Sequence, residues 1–533
     1  MTLALPRWRM VALSISLITL VPLLLILASI TRPDAELWSH LLDFQLPELI
    51  ANTAWLLGGV GLGVLLLGVP LAWLMAVYDF PGRRVFNWAL MLPLALPAYV
   101  MAFSQLGLFD FTGPIQSWLR DTTGDSSWVP PIRSTGGVIA VLVLAFYPYV
   151  YLLARNAFAT MGRRALEVGQ SLGLSPVAGF WHVALPMARP WIAGGLTLAL
   201  METLADFGTV AIFNFDTFTS AIYKAWFALF SLPTAMQLAS LLVLLVFVLV
   251  VLEQRSRGRR AYTQAGKAVP QPRLRLKGVS AWAASGFAAL VLLFAFALPV
   301  AQLAWWAWSV FDTEFDADFI GYVGRSLWLA LIAAVVVTLV ALLLSYAQRH
   351  DAKSALIVHL ATLGYAVPGT VLAVGVFVPI AWLDNWLLAS FAWPEGTGAI
   401  LKGTLVVMLL AYTARFLAVG HSAVDAAMHR ITRSQEEAAR NLGYSGFGLL
   451  ARLHLPLLSG GLFTAVLMVF VDVMKEMPIT LMTRPFGWDT LAVRIFNFTS
   501  EGEWERAALP ALALVIAGLL PVIVLSRQKE SAS

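Results

Sequence analysis

A chain of 533 residues that is 59% hydrophobic and 12% charged, with a mean hydropathy of +0.80, carries more apolar surface than one or two soluble cores can hide. It contains no cysteine, which excludes disulfides, thiolate catalysis and Cys-ligated metals. Its formal charge of +5 comes from Lys and Arg clustered between apolar runs, so it reports orientation in a membrane and not a nucleic-acid partner.

Arg7 and Arg9 precede an apolar run, Val11 to Ile30, long enough to cross a bilayer. It ends in Ala28-Ser29-Ile30-Thr31-Arg32 with no small-residue cleavage site, which predicts a retained first span. Further spans are expected at Ala54 to Val77, Val85 to Leu108, Gly137 to Phe158, Trp191 to Phe213 and Gln237 to Leu252. After a polar interruption the pattern resumes at Trp282 to Trp308, Ser326 to Tyr346, Ala355 to Leu383, Leu401 to Val424, Leu457 to Met482 and Ala508 to Leu525. This predicts an all-α polytopic membrane protein of about twelve helices. Residues 1–252 and 281–533 form two six-helix halves, joined by a flexible basic linker at 253–280.

Arg7, Arg9, Arg83, Arg84, eight Lys or Arg between Glu253 and Lys277, Arg349, Lys353, Arg527 and Lys529 all fall on one side if the spans alternate. The positive-inside rule makes that side the cytoplasm, with both termini on it. The opposite segments are acidic (Asp34, Glu36, Asp43 and Glu48; Asp312, Glu314, Asp316 and Asp318).

One cytoplasmic segment occurs twice. Glu167 to Pro186 reads EVGQSLGLSPVAGFWHVALP and Glu437 to Pro456 reads EAARNLGYSGFGLLARLHLP, 270 residues apart. In each a Glu is followed six residues later by Gly173 or Gly443, and the segment closes on Leu185-Pro186 or Leu455-Pro456. Ser434 to Glu437 has the form of a capping box, and the Gly is suited to close a short helix in the left-handed conformation. Ser175-Pro176 offers a cap and first-turn proline for a second short helix. The halves also match at Asn52-Thr53-Ala54-Trp55 against Arg325-Ser326-Leu327-Trp328, and at Pro97 against Pro368. Six spans per half make the repeat parallel, with a substrate path expected between the halves.

Two carboxylate pairs lie inside spans, Glu202 with Asp206 and Asp472 with Glu476, each four residues apart on one helical face and related by the same 270-residue offset. Intramembrane acids are costly, so they face a cavity or a partner, and Lys475 can neutralise a neighbour. They can line a path for a hard cation or stabilise a bend near Gly208 or Pro478. Tyr147, Tyr149 and Tyr151 are read as packing, and His182, His421, His429 and His454 as surface residues. No phosphate-binding loop is present; Gly266-Lys267 is followed by Ala268.

The repeated loop resembles the coupling segment of permeases of binding-protein-dependent ABC importers, which opens on Glu-Ala-Ala, has a Gly after three more residues and ends on Leu-Pro. The second copy fits fully through Glu437, Ala438, Ala439, Gly443, Leu453, Leu455 and Pro456. The first keeps Glu167, Gly173, Val183, Leu185 and Pro186 but has Val168-Gly169 in place of Ala-Ala. Glu202 to Thr209, Lys475 to Pro478 and Arg484 to Gly487 are similar to fused two-half permeases of ferric iron importers. The resemblance implies a transport subunit that is not itself an enzyme, works by alternating access in the bacterial inner membrane and binds no cofactor of its own. It also implies a periplasmic binding protein and two copies of an ATPase that holds ATP and magnesium. Thiamine or a polyamine as cargo, and an ion-coupled secondary transporter, are the rival expectations.

Overall fold

A computed structural model describes residues 7–31, 38–39, 41–127, 129–171, 173–257, 273–391 and 398–530. Most of the expected linker, residues 258–272, and the acidic residues Asp34 and Glu36 lie outside them. Ten of the described helices are long and apolar enough to cross a membrane, and a pair bent by 97°, Arg83–Ala95 with Ala98–Thr123, brings the number to as many as eleven. The helix Trp504–Glu530 covers the last expected span. The protein is an all-α polytopic membrane protein. The one sheet among the described residues is a two-residue parallel ladder, Tyr78 and Asp79 beside Leu274 and Arg275, which pins the end of the linker.

Four of the expected spans are broken, in matched pairs. Leu96 and Val367 each precede a proline, which disfavours helical backbone, and both are extended (ψ 125 and 132) after a 3-10 turn. Pro97 and Pro368 then start new helices, Ala98–Phe109 and Gly369–Ser390. The helices Leu185–Ala205 and Leu455–Lys475, offset by 270 residues at both ends, likewise stop at Asp206 and Glu476. These two acids adopt ψ of 125 and 113, and a short helix follows each, Gly208–Ile212 or Pro478–Thr483.

The repeat reaches individual hydrogen bonds. Asn52 donates from Nδ2 to the Asp216 carbonyl at 2.9 Å, and Arg325 donates from Nε to the Asp489 carbonyl at 3.0 Å, each across 164 residues. The first span of each half nevertheless packs in part on the other half. Arg7–Ser29 buries Ala12 and Ile15 beside Leu342 and Leu417, and Thr19 Oγ1 donates to the Ala361 carbonyl at 2.9 Å. Reciprocally, Val279–Ser309 buries Ala281, Ala284 and Ala288 among first-half residues such as Val60 and Val141. Small side chains on that stripe let the helices approach closely, which is how helices associate where lipid supplies no hydrophobic drive.

Candidate functional site

The four broken spans meet at one cavity of about 170 Å³. All four carboxylates named from the sequence line it: Glu202 and Asp206 from the first half, Asp472 and Glu476 from the second. Asp206 and Glu476 also cap the short helices that follow them. Asp206 Oδ2 accepts from the Val210 N–H at 3.2 Å and Oδ1 from Thr209 Oγ1 at 3.0 Å, while Glu476 Oε1 accepts from the Ile479 N–H at 3.0 Å. Asp206 and Glu476 thus both line the cavity and stabilise the bends.

Two cations share the cavity, both from the second half. Arg415 Nε lies 3.4 Å from Glu476 Oε2, and its Nη1 donates to the Val367 carbonyl at 3.0 Å. Lys475 Nζ donates to the Leu94 carbonyl at 2.8 Å, a bond spanning 381 residues that ties the two halves together. Each cation therefore satisfies a carbonyl at one of the proline-broken turns. The positions 270 residues earlier are Ala145 and Ala205, which also line the cavity, so the charge is asymmetric although the backbone is not. Gly369 makes room for this pair, since a Cβ there would sit 2.6 Å from Glu476 Oε1. Among the described residues no three His, Asp or Glu side chains gather closely enough to hold a metal ion.

The two repeated loops contribute no residue to this cavity. Gly173 and Gly443 have φ of 77 and 88, the left-handed conformation that closes the long helix Thr135–Ser171 in the first loop and the short helix Arg433–Asn441 in the second. Each loop then passes through a π turn, Phe180–Ala184 or Leu450–His454, into a helix whose first turn is Leu185-Pro186 or Leu455-Pro456. Such geometry recurs at the segment the sequence identifies as a coupling loop. Residues 68–258, which contain the first loop, match the family described as binding-protein-dependent transport system inner membrane component. Over those residues the chain matches this family's permease domain.

Two relatives align along most of the permease. It is 27% identical to the Fe(3+)-transport system permease protein FbpB 2 of Haemophilus influenzae over 91% of this chain and 90% of that one. The ferric transport system permease protein FbpB of Actinobacillus pleuropneumoniae is 22% identical over 88% of this chain and 69% of its own length. The sulfate transport system permease protein CysT of Escherichia coli, 25% identical, matches 46% of this chain with 91% of its own, as a single half should. The chain is a multi-pass membrane protein, similar over most of its length to permeases of ferric transport systems.

At the second loop the permease departs from expectation in register. The capping box is formed by Thr432 and Gln435, two residues before Ser434 and Glu437 would place its start, with Thr432 N–H donating to Gln435 Oε1 at 2.9 Å. That shift buries Ala439, leaves Glu437 and Ala438 exposed, and turns Glu436 inward. Arg349, at the end of the helix Ala317–His350, donates from Nε to Glu436 Oε1 at 3.1 Å and from Nη2 to the Ile431 carbonyl at 2.7 Å. Burial would push the Glu436 carboxyl up, but hydrogen bonds from His454 and Arg349 outweigh it and hold it below the usual carboxylate range. His454 is fully buried with Nε2 at 3.2 Å from Glu436, so it is no surface residue, and His421 is half-buried against Ser345 at 2.9 Å. His182 and His429 are exposed as expected.

In the first loop Glu167 and Gly173 are exposed, and Ser175 Oγ accepts from the Ala178 N–H at 3.3 Å, the expected cap. Gly169, where Ala is usual, lies against Gly179; a Cβ there would meet the Gly179 Cα at 3.2 Å. The missing methyl is what permits this contact. Tyr147 and Tyr151 are packing residues, donating to the Leu90 and Asn87 carbonyls at 2.9 and 3.1 Å, but Tyr149 lines the cavity. Arg415, Tyr99 and Tyr365 are cavity residues that the sequence reading passed over. A lone Arg within the apolar run of Leu405–Met428 was the signal available for the first of these.

Proposed function

We propose that the permease is the membrane-spanning subunit of an ATP-driven importer that moves ferric iron across a bacterial inner membrane, with both termini in the cytoplasm. Supporting the class are the permease domain and the two matched loops, which present Glu167 and Glu437 at the surface. Each loop engages one copy of an ATPase that supplies ATP and magnesium, and a periplasmic binding protein delivers cargo to the opposite face. ATP-driven closure of the ATPases rocks the halves, opening the cavity alternately to each side. The chain itself makes and breaks no covalent bond.

The observation that carries the iron reading is the cavity into which each half places two carboxylates, oxygen donors suited to a hard cation. Its acidic lining disfavours the dianion named for the one-half relatives. The test is iron uptake by proteoliposomes holding permease, ATPase and binding protein. Uptake that needs ATP and is not reduced by excess thiamine, spermidine or sulfate is expected. Uptake that continues without ATP and stops on dissipating the proton gradient would instead establish the secondary transporter. Asp206→Asn with Glu476→Gln should reduce uptake and leave ATPase association intact, because an amide oxygen still caps the short helices while the charge is gone. Normal uptake by that variant returns both residues to a structural role.

A further inference from the structure

The cavity holds its own counter-charges. Against four carboxylates stand two basic groups, Arg415 and Lys475, each fixed to a backbone carbonyl as well as facing the acids. A structural ion pair would be complete once every acid had a partner, yet two acids remain in formal excess. The Tyr99 hydroxyl, on a side chain only 6% exposed, lines the same cavity and has no hydrogen-bond partner among the described residues. A buried oxygen donor left without a partner beside an acid excess marks a place that a cation would complete.

Building on the iron reading, we infer that Arg415 and Lys475 are tethered counter-cations that weaken the cavity's hold on a multivalent cargo so that it can leave. No three of these carboxylates gather closely enough to form a coordination shell. Together, in a site of low dielectric, they nevertheless attract a trivalent ion more strongly than a divalent one, because the interaction grows with the charge of the ion. Passage requires binding strong enough for entry and weak enough for exit. Arg415, 3.4 Å from Glu476, offsets part of that attraction from the second half. Lys475 does the same from the interface, where its bond to Leu94 joins the halves and must change as they rock. Both residues act on whatever cation enters, and the size of their effect scales with its charge.

That scaling separates the inference from a packing role. The full-length permease in detergent is titrated with Tb³⁺, a hard trivalent cation whose emission is sensitised by nearby tyrosines such as Tyr99. Emission absent from Glu202→Gln/Asp472→Asn is assigned to the cavity, and Ca²⁺ affinity is read by displacement. Arg415→Gln should tighten Ca²⁺ binding by about tenfold and Tb³⁺ binding by more, in keeping with charge. Arg415→Gln/Glu476→Gln, with the charge balance restored, should return both toward the native values. Lys475→Gln repeats the test independently, so a folding failure of one variant leaves the other. The inference is overturned by native protein without cavity-dependent emission, by single variants that bind Tb³⁺ no more tightly, or by equal gains for Ca²⁺ and Tb³⁺. Iron uptake by the complete importer is scored apart. A native complex that fails to import iron removes iron as the cargo, while the charge-scaled shifts still stand or fall on their own.

Discussion

The two repeated loops share a left-handed glycine and a π turn but are entered and held in different ways. The first is the far end of a continuous 37-residue helix, Thr135–Ser171, and closes on a glycine-to-glycine contact. The second is a separate short helix, Arg433–Asn441, cut off from Leu405–Met428 and fastened to a neighbouring span through Arg349, Glu436 and His454. The positions equivalent to Glu436 and His454 are Leu166 and Ala184, so the first loop lacks these groups altogether. A repeated outline thus conserves where a loop goes, and the side chains decide which span moves with it. On the proposed coupling, the first loop acts on its own span, and the second reaches the Ala317–His350 span through an ionic joint.

The largest effect that would sharpen this contrast is loss of the exposed acid. Glu437→Lys should cut ATP-driven uptake by about tenfold or more, because like charge placed against a partner costs several kcal/mol. Glu167→Lys, on the loop that departs from the usual motif, should cost less; equal losses measured as uptake and ATPase co-purification would break the asymmetry. Next comes Arg349→Ala, which strands the half-buried Glu436 and should loosen residues 432–446 by roughly 1–3 kcal/mol in hydrogen exchange while leaving residues 167–179 unchanged. Loosening of both loops together would show that they are not held separately.

A smaller and equal effect is expected of Gly173→Ala and Gly443→Ala, each costing about 1 kcal/mol for a side chain forced into the left-handed region, read as exchange at the loop that carries it. The smallest is a pH response confined to the second loop. Because the Glu436 carboxyl sits below its ordinary value, its contribution is complete at neutral pH and is lost only as pH falls through the lowered value. Hydrogen exchange at residues 432–446 should therefore rise in two steps. One comes below about pH 6.5, as His454, held below its ordinary value chiefly by burial, begins to charge. A further one comes only below about pH 4, the ordinary carboxylate range. A rise already complete at pH 5 contradicts the anchor.

What was legible in the sequence was what repetition and periodicity carry. The spans, the 270-residue offset, the left-handed glycines and the meeting of Glu202, Asp206, Asp472 and Glu476 all follow from spacing. Glu436 was not separable from Glu437 by spacing, because a cap two residues upstream rotates the helix by roughly 200° and exchanges which acid faces inward. Arg415 escaped for a different reason: it has no counterpart in the other half, where Ala145 stands, so a search for repetition passes over it. The breaks at Asp206 and Glu476 lie inside apolar runs that hydropathy reads as unbroken. The packing of each first span on the other half has no local signature, since small residues on a helix stripe announce close packing and not its partner.

That packing across the halves bears on how the chain is made. Arg9 binds Asp351 at 2.7 Å and Thr19 binds the Ala361 carbonyl, each across 342 residues. At the 5–20 residues per second of synthesis, the partners of the first span emerge roughly 20–70 s after it. Until then the helix Arg7–Ser29 has Leu232–Arg257 of its own half as a neighbour, against which Leu23 and Ile26 pack, and its hydropathy of 2.7 suits its remaining face to lipid. Vectorial insertion therefore ends with a late docking step, in which the last-made half closes around the first-made helix.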